Sequence, residues 1–316
     1  MARSHSRQNT NLFGQNQNKT DSTHRQAPLA PRSCWASAKT DNITMTTHHT
    51  DNLFSESIPA FYEKYLVPLI FEYYATDLGK RVASESVSDV LEIAAGTGVV
   101  TRALVDELGS QGSIVATDLN QAMLDHGASV RSDENVKWLQ ADAQSLPFED
   151  ATFDAVVCQF SVMFFPDRAK VYSEVKRVLK PGGRFLFNVW DRIDENEFAD
   201  IVTKSLSNLF PTDPPLFLAR TPHGYSDIDE IASDLRTGGF VADPDVETLT
   251  ARSKASSPSI PAIAYCQGTP LRNEIESRDS SQLKHATEVA TTAISDRFGT
   301  GNVDGKIQGH VVSIRA

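Results

Sequence analysis

The chain holds only three cysteines in 316 residues, and Cys34, Cys158 and Cys266 lie far apart with no paired spacing. That pattern argues against a disulfide framework and against a zinc site. Histidine offers no metal motif either: His48 and His49 have no partner at helical spacing, and there is no His-x-x-x-His pair, so no metal is expected. Long apolar runs are missing. None approaches the roughly 20 residues that cross a bilayer, and the N-terminus lacks the unbroken apolar block of a secretory signal. A cytoplasmic enzyme with no membrane span is the expectation. Positive charge is scarce as well, with 30 Lys/Arg against 41 Asp/Glu and a net charge of −11. The deficit is uneven, because residues 1–52 carry six basic and three acidic side chains. An acidic body of this kind repels nucleic acid, so no nucleic-acid partner is expected.

What the N-terminal stretch does have is Ser, Thr, Asn and Gln without apolar periodicity. Residues 1–52 therefore read as a disordered tail that cannot offset the entropy of ordering. Arg3, Arg7, Arg25 and Arg32 give it the basic character of a mitochondrial transit peptide, but no amphipathic helix accompanies them, and a plain tail is the expectation. Met45 reads as an alternative start, with the upstream residues as an extension. With 40% hydrophobic residues, the remainder can bury one substantial core.

The stretch that organises this remainder is Val90-Leu91-Glu92-Ile93-Ala94-Ala95-Gly96-Thr97-Gly98-Val99-Val100-Thr101, an apolar run ending in two glycines that lead into a helical pattern. It reads as strand, tight turn, helix. Gly96 and Gly98 have no Cβ, so a ligand can lie against the backbone, and the first amides of the helix point toward it. No Gly-Lys-Ser/Thr follows, which speaks against a P-loop. Thr101 stands where a dinucleotide fingerprint wants its third glycine. A second apolar run, Ser113-Ile114-Val115-Ala116-Thr117, ends at Asp118, placed where an acid could accept both hydroxyls of a ribose.

Leu91-Glu92-Ile93-Ala94-Ala95-Gly96-Thr97-Gly98 resembles motif I of the class I S-adenosylmethionine-dependent methyltransferases, with Asp118 matching that family's ribose acid. The match continues through Gln140-Ala141-Asp142-Ala143, Leu146-Pro147-Phe148, Phe153-Asp154-Ala155-Val156-Val157 and Arg177-Val178-Leu179-Lys180-Pro181-Gly182-Gly183. It is most similar to the ubiquinone and menaquinone biosynthesis-related (type 11) group. Ala94 is a departure, standing where many members carry the first glycine of the loop. The resemblance covers about residues 53–315, with its specific motifs confined to 90–184.

The resemblance implies S-adenosyl-L-methionine as cofactor. The loop at Gly96 and Gly98 would take its methionine and ribose portion, Asp118 the ribose hydroxyls, Asp142 the adenine amino group and the Ala143 amide a ring nitrogen. Gln159 would lie beside the methionine end, and Glu92, Ala94, Leu119 and Met123 complete the set. N-terminal helices close over the cofactor in related enzymes, with Tyr65 the expected ring lining the pocket. The implied fold is α/β, a doubly wound, mostly parallel seven-stranded sheet with helices on both faces, its last strand inserted antiparallel, plus a helical cap at about 53–83 and 258–299.

Hydrophobic periodicity gives the same alternation independently: strands at about 88–94, 113–118, 136–141, 153–160 and 184–190, separated by helices, imply right-handed crossovers and a parallel sheet. A short helix around Phe61, Tyr62 and Tyr65 should precede a second helix starting near Pro68. After Trp190 come helices at about 195–210, 227–236, 261–278 and 281–297, with strands near 246–251 and 309–314. The methyltransferase domain is thus expected at 53–316.

A catalytic residue is not identifiable from the sequence. His126 reads as surface, and His223 and Tyr225 sit in a loop that could reach the pocket. The methyl acceptor is expected to be a small, apolar or aromatic molecule held between the crevice and a cover made of Phe61 to Tyr65 and of Ile263, Ala264, Tyr265 and Leu271. A cofactor-binding protein without catalysis, serving regulation or assembly, is the alternative; a nicotinamide dehydrogenase meets the Thr101 objection. Oligomeric state is left open.

Overall fold

A computed structural model describes residues 61–316. The expected tail at 1–52, with Met45, Cys34, His48 and His49, lies outside the described residues, as does the expected start of the domain at 53. Seven strands form one sheet: β1 (Asp89–Ile93), β2 (Ser113–Asp118), β3 (Val136–Gln140), β4 (Phe153–Gln159), β5 (Leu179–Trp190), β6 (Asp245–Ala255) and β7 (Val303–Arg315). Their order is β3-β2-β1-β4-β5-β7-β6. All neighbours from β3 to β5 run parallel, and β7 is antiparallel to both β5 and β6.

Alternation along the strands sends side chains to two cores. Val90, Ala155, Val157 and Leu186 meet Ala75, Leu78, Val82, Val100 and Leu104 from the helices Glu72–Ala83 and Val99–Leu108. Leu91, Ile93, Val156, Phe185 and Phe187 face the other way, onto Val171, Tyr172 and Val175 of the helix Arg168–Val178 and Ile231 and Leu235 of the helix Ile228–Thr237. The sheet is covered on both faces because its central strands, β1 and β4 above all, are apolar on both. Its order reverses between β1 and β4, which opens a crevice at their carboxyl ends.

Beyond β6 and β7, which run longer than expected, and an unexpected short helix at Phe217–Arg220, three elements differ from the sequence reading for a local reason. The two helices expected on either side of Pro68 are continuous: a π-helix, Tyr62–Phe71, contains Pro68 and runs into the helix Glu72–Ala83. Proline has no N–H to donate, and its ring would meet the carbonyl one turn back in a straight α-helix; the wider π turn relieves this. The single helix expected at 261–278 is instead two, Ser259–Gly268 and Leu271–Arg278. Thr269, ahead of Pro270, is extended at φ −131°, ψ 166°, as the residue before a proline prefers. Finally β5 begins at Leu179, earlier than the expected 184, with a register shift between the Phe153 and Ala155 pairings where Lys180-Pro181-Gly182-Gly183 bulges out.

Candidate active site

The crevice deepens into a cavity of about 560 Å³. Its first half is built by the turn after β1. Ala94 and Gly96 both have left-handed backbone, φ 53° and 56°, and nothing lies within 4 Å of where a Cβ on Gly96 would project. That turn is held by Asp118 at the end of β2: the Gly96 amide donates to Oδ2 at 2.8 Å and the Asn120 amide to Oδ1 at 2.8 Å. A carboxylate has about four acceptor positions, so these bonds leave capacity for a ligand. Burial raises the Asp118 carboxyl, opposed by its amide hydrogen bonds.

Glu92, on β1 beneath the loop, is only 2% exposed, and burial pushes its carboxyl up to about 8. The Thr101 hydroxyl donates to its Oε2 at 2.5 Å. Thr101, which the sequence marks as the wrong residue for a dinucleotide fingerprint, thus has a positive role as Glu92's partner. Leu119 stands at the rim 63% exposed, an apolar surface without a cover, while Met123 lies buried behind it. Asp142 and Ala143 line the same side; Asp142 is exposed and also accepts from the Gln144 amide at 2.8 Å, a turn-closing bond. Gln159, at the end of β4, donates to the Phe71 carbonyl at 3.4 Å, joining the sheet to the N-terminal cover.

Of the eleven site residues named from the sequence, the cavity wall includes nine and omits Gly98 and Tyr65. Gly98 is a glycine for a different reason: its φ is +80°, and a Cβ there would lie 2.4 Å from the Trp138 indole. The same ring lies 2.8 Å from a Cβ placed on Gly127, so Trp138 of β3 is wedged between the loop and the helix Gln121–Val130. Tyr65 packs on Phe61 instead, and Tyr62 takes the wall position. In the π-helix the wall residues are Tyr62, Leu66, Ile70 and Phe71, with Tyr62 stacked on Phe71 nine positions on. An ion pair clamps this segment down, with Glu63 accepting from Arg102 at 2.7 Å while Arg102 also donates to the Thr97 carbonyl.

The second half of the cavity is aromatic. Phe160, like Ala94 a non-glycine residue with left-handed backbone, at φ 48°, stacks on Trp190 at 3.7 Å between ring centroids. Phe71, Phe164, Phe165 and Tyr265 extend the wall. From the expected cover, Tyr265 reaches the cavity but Ile263, Ala264 and Leu271 do not; the break Gly268-Thr269-Pro270 does. Cover and cap also pack on each other, since a Cβ on Gly268 would meet Leu66 at 3.2 Å. His223 lines this half too, whereas Tyr225 is a structural residue whose hydroxyl donates to Asp234 at 3.0 Å. Ala94 and Phe160 place two left-handed residues on one cavity, and backbone held in such conformations concentrates at functional sites. No lysine or arginine lines the cavity among the described residues.

Residues 91–187 match the family described as "Methyltransferase domain". Over 101 residues, 31% of its length, the chain is 43% identical to the ubiquinone/menaquinone biosynthesis C-methyltransferase of Idiomarina loihiensis, and this stretch spans 40% of that relative. A longer match to the enzyme of the same name from Hahella chejuensis is 28% identical over 173 residues and spans 65% of it. Among solved structures, a phosphoethanolamine N-methyltransferase from Haemonchus contortus, bound to phosphomonomethylethanolamine and S-adenosylhomocysteine, superposes with a TM-score of 0.52 at 16% identity, covering 86% of this chain and 61% of that one; the likeness is one of fold. No helix among the described residues is long and apolar enough to cross a membrane. The inverted last strand, the glycine turn after β1 and the domain match over β1 to β5 agree: residues 91–187 carry a methyltransferase domain, similar to that of the ubiquinone/menaquinone biosynthesis C-methyltransferases.

Proposed function

We propose that this protein transfers a methyl group from S-adenosylmethionine to a small, largely apolar or aromatic acceptor. The observation that carries the reading is a single cavity with two chemically different halves, one with acids and a glycine turn, the other with aromatic rings. S-adenosylmethionine fits the first half. It is cationic at sulfur, and the ionisable side chains there are Glu92, Asp118 and Asp142 with no cation among them, a balance that suits a cationic ligand better than an anionic one. Open space at Gly96 and the bare face of Leu119 leave room for a ligand against the loop and a flat ring on the rim.

In this reading Asp118 takes the ribose hydroxyls, and Asp142 and the Ala143 amide take the edge of adenine between Leu119 and Met123. Ala94, Gly96 and Gln159 face the methionine end. The bound sulfonium supplies an activated methyl group, so the protein's task is alignment of a nucleophile behind it in a site closed to water. The aromatic half suits a neutral flat acceptor, and the names of the curated relatives make a hydroquinone ring the first acceptor to try. With the domain expected at 53–316, the π-helix and the helices from Ser259 to Phe298 act as its cap.

The test is transfer of labelled methyl from S-adenosylmethionine across hydroquinones, phenols, amines, fatty acids, RNA and protein. Product confined to aromatic small molecules is expected. Transfer only to RNA or protein contradicts the reading, and tight cofactor binding without transfer to any pool shifts the assignment to the non-catalytic alternative. That alternative is not favoured by relatives that are named as methyltransferases.

A further inference from the structure

We propose that His223 is the catalytic base of this site, its Nε2 taking the proton from a weakly acidic group, such as an aromatic hydroxyl, on the acceptor as the methyl group is transferred. The inference rests on the methyl-transfer reading above and adds the residue that the sequence left unidentified.

Geometry sets the tautomer. His223 follows Pro222 at the cavity wall, and its Nδ1 lies 2.8 Å from the backbone carbonyl of Asp191, just beyond the end of β5. A carbonyl can only accept, so Nδ1 carries the proton and Nε2 is left with a lone pair. Nε2 has no hydrogen-bond partner among the described residues, yet it is not one of the buried polar atoms sealed without a partner. The ring lies against Trp190, with centroids 5.9 Å apart, beside the Phe160–Trp190 stack that an aromatic acceptor would meet.

Among the described residues, no other wall residue of the aromatic half is free to accept a proton. Asn196 is spent on the backbone, donating to the carbonyls of Asp191, Arg192 and Gln308 and accepting from the Gln308 amide. Burial raises the phenols of Tyr62 and Tyr265, which stay protonated and can only be donors for this purpose. The wall carboxylates belong to the cofactor half, where Asp118 is bound by two amides and Glu92 by Thr101.

Charge balance favours a neutral imidazole. Burial brings His223 down to about 4, outweighing the hydrogen bond to Asp191 and the charges of Asp191 and Asp200. Asp191 itself is shared, with His310 Nε2 3.4 Å from its carboxylate and Gln308 donating to it at 2.6 Å. A ring that is neutral at pH 7 does not repel a cationic methyl donor. When the acceptor's O–H bond breaks, its proton goes to Nε2, and an electron pair of the acceptor forms the new bond to the methyl carbon. The carbon–sulfur bond breaks with its pair left on sulfur. Positive charge disappears from sulfur as it appears on imidazole, so the cavity's net charge is unchanged; the imidazolium then returns its proton to water.

The experiment uses the full chain with S-adenosylmethionine and a series of phenols and hydroquinones of graded acidity. His223→Asn keeps an N–H for the Asp191 carbonyl and removes the base. It should bind S-adenosylmethionine as the unaltered protein does and lose about 100-fold in kcat, the lower end for a general base because burial weakens this imidazole. The loss should shrink for acceptors acidic enough to ionise unaided. Independently of turnover, nitrogen-15 spectra of the complex with S-adenosylhomocysteine should show a neutral His223 ring protonated at Nδ1 at pH 7, with Nε2 shifting when a phenol is added. Undiminished kcat in the variant, an equal loss for every acceptor, or a proton on Nε2 in the spectra each overturns the base while leaving the methyl-transfer reading intact. Absence of transfer by the unaltered protein to every acceptor removes both.

Discussion

Replacing Glu92 by glutamine separates the chemistry of the cofactor half from its shape. Glu92 is 2% exposed, its carboxyl is raised from an ordinary 4.5 to about 8 chiefly by burial, and the charge of Asp118 adds to the rise. Glutamine keeps an oxygen for the Thr101 hydroxyl and removes the titration. A folded-state pKa raised above the unfolded value stabilises the protein below the unfolded pKa, and this contribution is lost as pH rises through the folded value. Between pH 5 and 8 the unfolded chain is ionised at this position while the folded one holds its proton, which costs about 1.4 kcal/mol per pH unit. The variant should therefore gain on the unaltered protein by at most about 4 kcal/mol across that window, and no further above it. For a domain of this size that corresponds to roughly 3–5 °C of melting-temperature difference per pH unit. Thermal melts of both proteins at half-unit pH steps give the difference directly, since other titrating groups cancel. A difference that stays flat from pH 5 to 8, or that narrows, refutes the argument. Saturating S-adenosylmethionine should flatten the dependence more than S-adenosylhomocysteine does, because a nearby cation favours the ionised carboxylate.

Two glycines two residues apart should fail differently. Both are left-handed, so alanine costs about 1–2 kcal/mol at either, but only Gly98→Ala also drives a Cβ into Trp138, and Trp138→Leu should recover part of that loss in thermal melts. Gly96→Ala should melt higher than Gly98→Ala and weaken cofactor binding by calorimetry; equal melting temperatures contradict the assignment of Gly98 to packing. Asp118→Ala should cost about 1.5–3 kcal/mol of S-adenosylmethionine affinity, the range for hydrogen bonds to a charged group; an unchanged Kd in a folded variant removes Asp118 from the ribose.

Most of this architecture was open to a reading of residue order because β1, β2, β4 and β5 are apolar on both faces and separated by single amphipathic helices, a pattern that parallel sheets impose. The glycine turn and Asp118 could be placed at one crevice for the same reason, since both end adjacent parallel strands. What escaped depends on contacts between distant segments. Trp138 explains Gly98, yet the two are forty positions apart, and nothing in either neighbourhood points to the other. Tyr62 takes the wall position expected for Tyr65, and it stacks on Phe71 nine positions on, a pairing made by the π-helix around Pro68 that a period of 3.6 does not express. Pro270 divides a helix whose apolar pattern continues through it, and the break itself reaches the cavity. His223 reads from the sequence as a loop residue of the same standing as Tyr225, because its distinguishing feature is a bond to the backbone of Asp191. A clue was available in Pro222-His223-Gly224, where proline and glycine fix a loop around one polar side chain, although this shows a turn and not a site.

The central claim is transfer of a methyl group to an aromatic acceptor from the cofactor in the acidic half of the cavity. Its most direct measurement is single-turnover transfer from radiolabelled S-adenosylmethionine to a hydroquinone, carried out in parallel with the unaltered protein and Asp118→Ala at cofactor concentrations near the unaltered protein's Kd. Label should appear in the aromatic product with the unaltered protein, and the variant should show a loss that is recovered by raising the cofactor concentration. Label appearing at equal rates with both proteins, or no label in any aromatic acceptor while S-adenosylmethionine binds tightly, contradicts it.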